Sequence, residues 1–218
     1  MTPGASPGAG FAWPEAVCAP VRALPDHERL WVALSGGLDS TLLLHLCVYC
    51  YPRPGAVNAI HVNHQLQPNA GETETFCESR CQALGVPLQV RRVTVPVGDG
   101  AGVEGAAREA RYREFERLLA PGDLLLMAHH GDDQAETVLF RLLRGSGVAG
   151  LAGMPSTRKL GAGQLHRPLL ASTVNNSRAG QSRQGSSGLK IRATATRLMT
   201  GIFCVIRLCR CSNPAGLP

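Results

Sequence analysis

No apolar stretch in the 218 residues approaches the roughly 20 needed to cross a bilayer as a helix, so a membrane-spanning reading has nothing to rest on. The start of the chain, Met1 to Gly10, is rich in Pro, Gly and Ala and lacks the basic-then-apolar layout of a signal peptide, so a cytoplasmic location is expected. Acidic residues are missing after position 170, and only Lys159 and Lys190 are lysines. The eight cysteines include no second pair at metal-ligand spacing to complete Cys47-Val-Tyr-Cys50 or Cys77…Cys81, which argues against a zinc or iron–sulfur centre. With no sign of export these cysteines read as thiols, and those four as small buried hydrophobes inside expected helices.

The net charge of +6 suggests nucleic acid, but its placement matters more than its total. Seven of the 22 basic residues, from Arg178 to Arg210, lie beyond position 170. The first 170 residues therefore hold 15 basic and 16 acidic groups, a net charge of −1. All the basicity belongs to the tail.

Arg29 to Leu34 is a short apolar run entering a glycine loop, and Thr41 to Tyr51 carries leucines at helical spacing. Ala56–His61, Val86–Val95 and Leu124–Ala128 read as further strands. Glu72–Leu84, Val103–Leu119 and Asp132–Leu143 read as helices, closed by Gly85 and Pro121-Gly122 in the first two cases and capped by Asp132 or Asp133 in the third. Ala107, Ala110, Phe115 and Leu118 form the apolar side of the long helix. Strands alternating with helices specify an α/β fold, a doubly wound parallel sheet whose ligands sit beyond the carboxyl ends of the strands. One domain is expected over 27–170, after a flexible segment 1–26 and before an anomalous tail 171–218.

Ser35-Gly36-Gly37-Leu38-Asp39-Ser40 follows a strand and opens a helix, so backbone N–H groups and the positive end of the helix dipole converge there on an anion. The glycines allow the tight path, and the hydroxyls of Ser35 and Ser40 add donors. The Gly-Lys-Ser/Thr ending of a Walker A loop is absent. Asp39 would be out of place in an anion site unless a cation accompanies the phosphates, and Mg²⁺ held by its carboxylate meets that need. Asp133 and Glu136, three apart, share a helix face and suit an amine, a metal or a base edge. His130 stands beside them at a strand end. Arg108 and Arg111 share another helix face and suit phosphate or a cytosine carbonyl, the alternative for Arg108 being a solvated pair with Glu104. His61, His64 and His129 fall at strand ends, where nucleotide contact competes with simple satisfaction by backbone.

Ser-Gly-Gly-x-Asp-Ser after a first strand resembles the PP-loop of the N-type ATP pyrophosphatases. His61-Val-Asn-His64, Glu104-Gly-Ala-Ala-Arg-Glu-Ala-Arg-Tyr112 and Ala128-His-His-Gly-Asp-Asp-Gln-Ala-Glu-Thr137, running on to Arg144-Gly-Ser-Gly147, narrow the resemblance to the tRNA(Ile)-lysidine synthetase family over about residues 27–170. That resemblance implies a Rossmann-like PP-loop domain and a ligase acting on the wobble cytidine of a tRNA(Ile) with a CAU anticodon. The cytosine C2 oxygen attacks the α-phosphate of ATP and pyrophosphate leaves; free L-lysine then attacks C2 through its ε-amine and AMP leaves. It assigns nucleotide contact to Ser35–Ser40 and His61, catalysis to Asp39, Arg111, His130, Asp133 and Glu136, and substrate contact to Arg108, Arg111, Asp133 and Glu136. Two rivals are another PP-loop enzyme, such as a tRNA thiolase, and a non-functional fragment.

Past Arg167-Pro-Leu-Leu170 the resemblance implies Trp-Ile-Glu-Asp-Pro-Ser-Asn and then Asp-Arg-Asn-Phe-Leu-Arg, and neither is present. Back-translated as ATG ACC GGA ATT TTC TGC GTC ATC AGG CTC and read from its third base, Met199–Leu208 gives Asp-Arg-Asn-Phe-Leu-Arg-His-Gln-Ala. Lys190–Thr194, as AAG ATC CGA GCA ACC, gives Asp-Pro-Ser-Asn in the same frame. A frameshift shortly after Leu170 is the expectation, leaving a tail that is disordered or non-native.

Overall fold

The structure, a computed structural model, describes residues 13, 15–53, 55–95, 102–147 and 151–171. Its elements run α1 (Glu15–Arg22), β1 (Leu30–Ala33), α2 (Leu38–Cys50), β2 (Val57–Asn63), α3 (Ala70–Leu84), β3 (Leu88–Arg92), α4 (Gly102–Leu118), β4 (Leu124–Leu126), α5 (Gly131–Leu143), β5 (Thr157–Leu160) and β6 (Gly163–His166). The sheet order is β3-β2-β1-β4-β6-β5. All neighbours are parallel except β5, which pairs antiparallel with β6 at the edge.

The α/β expectation holds, and its physical basis is visible in β1. Every residue of this strand is buried, as a central parallel strand covered on both faces requires. Leu30 and Val32 point into a core shared with Cys18 and Val21 of α1, Leu43 and Leu46 of α2, and Cys77 and Cys81 of α3. Trp31 and Ala33 point the other way, against Phe115 of α4 and Leu125, Met127 and Leu165. Phe115 is 1% exposed, so truncating it to Ala would cost about 3–5 kcal/mol. Ala107 and Ala110 are buried as expected, and Leu118 packs partly buried on the Phe115 core. Gly85 closes α3 at a left-handed φ of 66°.

Three parts differ from expectation. Residues 15–22, inside the segment expected to be flexible, form α1, because Cys18 and Val21 bury completely against α2. Cys18 and Cys50 are joined by a disulfide with Cα atoms 5.3 Å apart, so Cys50 is not the free thiol expected of it, whereas Cys47, Cys77 and Cys81 are free and buried. The β5–β6 hairpin was not foreseen. Its strands are four residues each and joined by a two-residue turn with Gly161 at φ 56°, too short for a periodicity to register. Beyond Ala171 the tail lies outside the described residues, and so do Cys204, Cys209 and Cys211.

The strand order reverses between β1 and its two neighbours: β2 and β3 continue to one side, β4 and β6 to the other. In open parallel sheets this switch point leaves a crevice beyond the carboxyl ends of the strands, between the loops that depart in opposite directions. Among the described residues no helix is long and apolar enough to cross a membrane.

Candidate functional site

A cleft of about 740 Å³ occupies that crevice. Its lining comes from the loop after β1 (Ser35, Gly37, Asp39, Ser40), the end of β2 (His61, Asn63, His64), α4 (Glu104, Arg108, Arg111) and the segment after β4 (His129, Asp133). The topology thus brings together residues separated by nearly a hundred positions.

The glycine loop is shaped by its own hydrogen bonds. The Ser40 hydroxyl donates to Gly37 O (3.0 Å) and accepts from the Ser35 N–H (3.2 Å), while Ser35 Oγ accepts from the Gly37 N–H (3.3 Å). The two hydroxyls expected to reach a phosphate are here engaged in the loop itself, 3.0 Å apart. Gly36 turns at φ 79°, and a Cβ there would stand 2.4 Å from Thr73 Cγ2, so glycine is required on both counts. α2 then begins at Leu38 with no side chain capping its first amides. An uncapped N-terminus of a 13-residue helix, facing a cleft, leaves N–H donors for an incoming anion.

α5 begins differently. His130 caps it: its Nδ1 accepts from the Asp132 N–H (3.3 Å) and the Asp133 carboxylate accepts from the His130 N–H (2.8 Å). The cap expected from Asp132 or Asp133 is therefore supplied by an imidazole, with Asp133 acting in return. Because Nδ1 accepts, the proton of the neutral ring sits on Nε2, which faces Asp133 Oδ2 at 3.6 Å and Asp39 Oδ2 at 3.9 Å. Glu136 does not join them. It is exposed and absent from the cleft lining, because the cleft lies at the N-terminal end of α5 and three residues carry Glu136 about 4.5 Å along the axis.

His61 is satisfied by backbone on one side only. Its Nδ1 lies 2.8 Å from Leu34 O and donates there, and its Nε2 is left as a buried acceptor with no partner at the cleft wall. His64 lines the cleft with its pKa lowered by partial burial, then by the Arg111 and His61 charges. His129 accepts from Arg167 Nε at 3.1 Å, and burial, reinforced by the Arg167 charge, pushes it down to about 4. It is a neutral imidazole at ordinary pH.

Arg108 makes no ion pair with Glu104; its guanidinium lies 5.1 Å from the ring centre of Tyr112 instead. Arg111 is largely enclosed, with a buried Nε that has no acceptor, and its pKa is lowered chiefly by that burial. Two arginines that sequence reasoning passed over stand near them, Arg158 on β5 and Arg167 after β6. The unread hairpin hid them; the only available signal was the absence of nearby acids in the sequence. Among the described residues no three His, Cys, Asp or Glu side chains stand close enough to hold a metal ion unaided.

A family profile described as the PP-loop domain matches residues 15–179, starting at the first residue of α1. The sequence is similar to proteins named tRNA(Ile)-lysidine synthase. It is 54% identical to that of Pseudomonas aeruginosa over 141 residues, 64% of this chain and 31% of the relative. It is 44% identical to that of Coxiella burnetii over 161 residues (73% and 36%) and 49% to that of Escherichia coli O157:H7 over 154 residues (70% and 36%). The chain thus spans about a third of the length of these curated relatives. Among solved structures, the U34-tRNA thiolase NcsA of Methanococcus maripaludis with its [4Fe-4S] cluster superposes with a TM-score of 0.57 at 18% identity, covering 86% of this chain and 72% of that one, a likeness of fold.

Proposed function

The chain belongs to the PP-loop family, and on that premise we propose that its cleft binds ATP and adenylates the C2 oxygen of the wobble cytidine in a CAU-anticodon tRNA(Ile), preparing C2 for attack by the ε-amine of lysine. The observation that carries the proposal is the meeting of the glycine loop with α5 at His130, which places Asp39 and Asp133 around one N–H donor at the head of an uncapped helix. The names borne by relatives at 44–54% identity support this substrate.

In this reading the first amides of α2 hold the ATP phosphates. His61 Nε2, a buried acceptor without a donor, takes an N–H or O–H of the nucleoside. Arg111 offers its unmatched Nε–H to an oxygen of the reacting centre, where charge develops as pyrophosphate departs. Asp133 holds the lysine ammonium and is itself held by the α5 cap, with Glu136 exposed one turn further along the helix to meet the substrate from the solvent side.

Mg²⁺ suits the residues present. No all-protein cage exists among the described residues, and Mg²⁺ is commonly bound by one or two carboxylates with substrate phosphates and water. Asp39, half-exposed beside the loop, is the carboxylate that would hold it, and the ion would neutralise phosphate charge.

Residues 27–170 with α1 are read as the adenylating domain and 171–218 as translated out of frame. The alternate-frame Asp-Pro-Ser-Asn and Asp-Arg-Asn-Phe-Leu-Arg, in order and in one frame, support this. Sequencing the gene tests it: codons at 190–208 that do not encode those motifs in the shifted frame refute it. Because residues 1–170 carry a net charge of −1, tRNA affinity is weak and lysidine yield low. Mass spectrometry of tRNA(Ile) after reaction with the chain, ATP, Mg²⁺ and lysine tests the chemistry. Lysine added to the anticodon cytidine supports the proposal; sulfur incorporation, or no modified nucleoside at saturating enzyme, overturns it.

A further inference from the structure

One corner of the cleft gathers guanidinium groups that no carboxylate pairs among the described residues, although Glu104 and Asp133 line the same cleft. Arg108 and Arg111 line it from α4; behind that wall Arg158, on edge strand β5, stands over the same Tyr112 ring as Arg108, and Arg167, in the turn after β6, bonds to the lining residue His129. The guanidinium carbons of Arg108 and Arg158 lie 5.1 and 5.0 Å from the centre of the Tyr112 ring. Arg167, 4% exposed, stands behind them and donates to His129 Nδ1 and to Pro155 O at 2.7 Å. Among the described residues none of the four forms an ion pair with a carboxylate. Other arginines in the same molecule behave differently: Arg29 pairs with Asp123 and Arg92 with Glu74.

Like charges held this close repel. Arg167 has its pKa lowered first by burial, with the charges of Arg158 and Arg108 adding to it, and Arg111 is lowered by burial with Arg108 adding. The buried Nε of Arg111 is a charged donor with no acceptor, which costs the desolvation of that group until an acceptor arrives. The near-neutral total of residues 1–170 conceals this local excess.

We propose that this corner is a phosphodiester subsite for a single-stranded RNA backbone, separate from the glycine loop, with Arg108 and Arg158 gripping phosphate oxygens at the rim. The glycine loop starts α2, which packs on the opposite face of the sheet from α4, so nucleotide phosphates and this corner approach the cleft from different sides. A single carboxylate would occupy one guanidinium fork; the two forks of exposed Arg108 and half-buried Arg158 over one ring suit successive phosphates of a chain arriving from solvent. Guanidinium groups resting on an aromatic ring are also held in orientation for that contact. The proposal rests on the reading that an RNA is the substrate.

The test uses the full chain and two labelled RNAs, an anticodon stem–loop bearing CAU and a scrambled single strand of equal length, with ATP titrated separately. Arg158→Ala is expected to weaken both RNAs about tenfold at low salt. It should also reduce the slope of log affinity against log salt by about 0.7, the value for one lost single-strand phosphate contact. ATP affinity and the thermal midpoint stay as in the wild type, and Arg158→Lys recovers part of the loss. Should Arg158→Ala lower the midpoint, Arg108→Ala on the exposed rim carries the same RNA expectation. A loss of ATP affinity with RNA affinity intact assigns the corner to the nucleotide and overturns the proposal. Wild-type RNA affinity without salt dependence, or unchanged in both variants, overturns it too. If the wild type does not prefer the CAU stem–loop while Arg158→Ala still weakens both RNAs, the substrate reading falls and the subsite stands.

Discussion

Nε2 of His130 stands 3.9 Å from Oδ2 of Asp39, too far for a hydrogen bond and close enough for the imidazole N–H to face the carboxylate across the cleft. This contact joins the glycine loop to the α5 motif, two stretches ninety residues apart that the sequence connects only by resemblance. It also links Asp39, beside the glycine loop, through one imidazole to Asp133 at the head of α5.

Asp39→Asn keeps the size of the side chain and removes its charge. Pyrophosphate release is expected to fall about 100-fold or more, with ATP affinity changed far less, because the lost interaction acts mainly on charge developing in the transition state. Parallel assays of pyrophosphate release and ATP binding check this; equal losses in both would mean that Asp39 acts only in binding.

The strand–loop–helix around Ser35 was legible because a short apolar run, two glycines and a leucine-periodic helix leave little alternative. The buried faces of α4 were legible for the same reason, Ala107, Ala110 and Phe115 recurring at helical spacing. What composition could not convey was pairing across distance. The partners of Cys50 and His129 are Cys18 and Arg167, 32 and 38 positions away, and each rests on an element, α1 or the β5–β6 hairpin, too short to announce itself. Helical spacing likewise gave the face that Glu136 shares with Asp133, but not that Asp133 lines the cleft while Glu136 lies exposed one turn further along α5.

The Cys18–Cys50 disulfide ties α1 to the C-terminal end of α2. Closing a loop of this size is expected to contribute about 3–4 kcal/mol in the chain-entropy account. Reductant should therefore lower the denaturant midpoint. Alkylation of the unfolded, unreduced chain should label Cys47, Cys77 and Cys81 and spare Cys18 and Cys50; labelling of all five would remove the bond from the account.

Burial pushes the imidazoles of His45 and His129 down to about 4, with Arg80 and Arg167 adding to the effect. The unfolded chain, with histidines near 6.5, binds protons that the folded chain refuses, so stability present above pH 6.5 is lost as pH falls toward 4. The thermal midpoint is expected to be roughly 5 °C or more lower at pH 4.5 than at pH 7, at about 2–4 °C per kcal/mol for a chain of this size. A midpoint flat across that range in scanning calorimetry contradicts the assignment of both histidines as buried and neutral.

Whether the loop from Ser35 to Ser40 is a working nucleotide site is measured directly by calorimetric titration of Mg·ATP into the wild-type chain and Gly36→Val. A Cβ at position 36 meets Thr73 at 2.4 Å on a backbone that already requires a positive φ, so the variant cannot keep the loop's path while the sheet behind it is untouched. One ATP per wild-type chain is expected, with at least about tenfold weaker binding by Gly36→Val and its cooperative unfolding preserved. No ATP binding by the wild type, or equal binding by the variant, would contradict it.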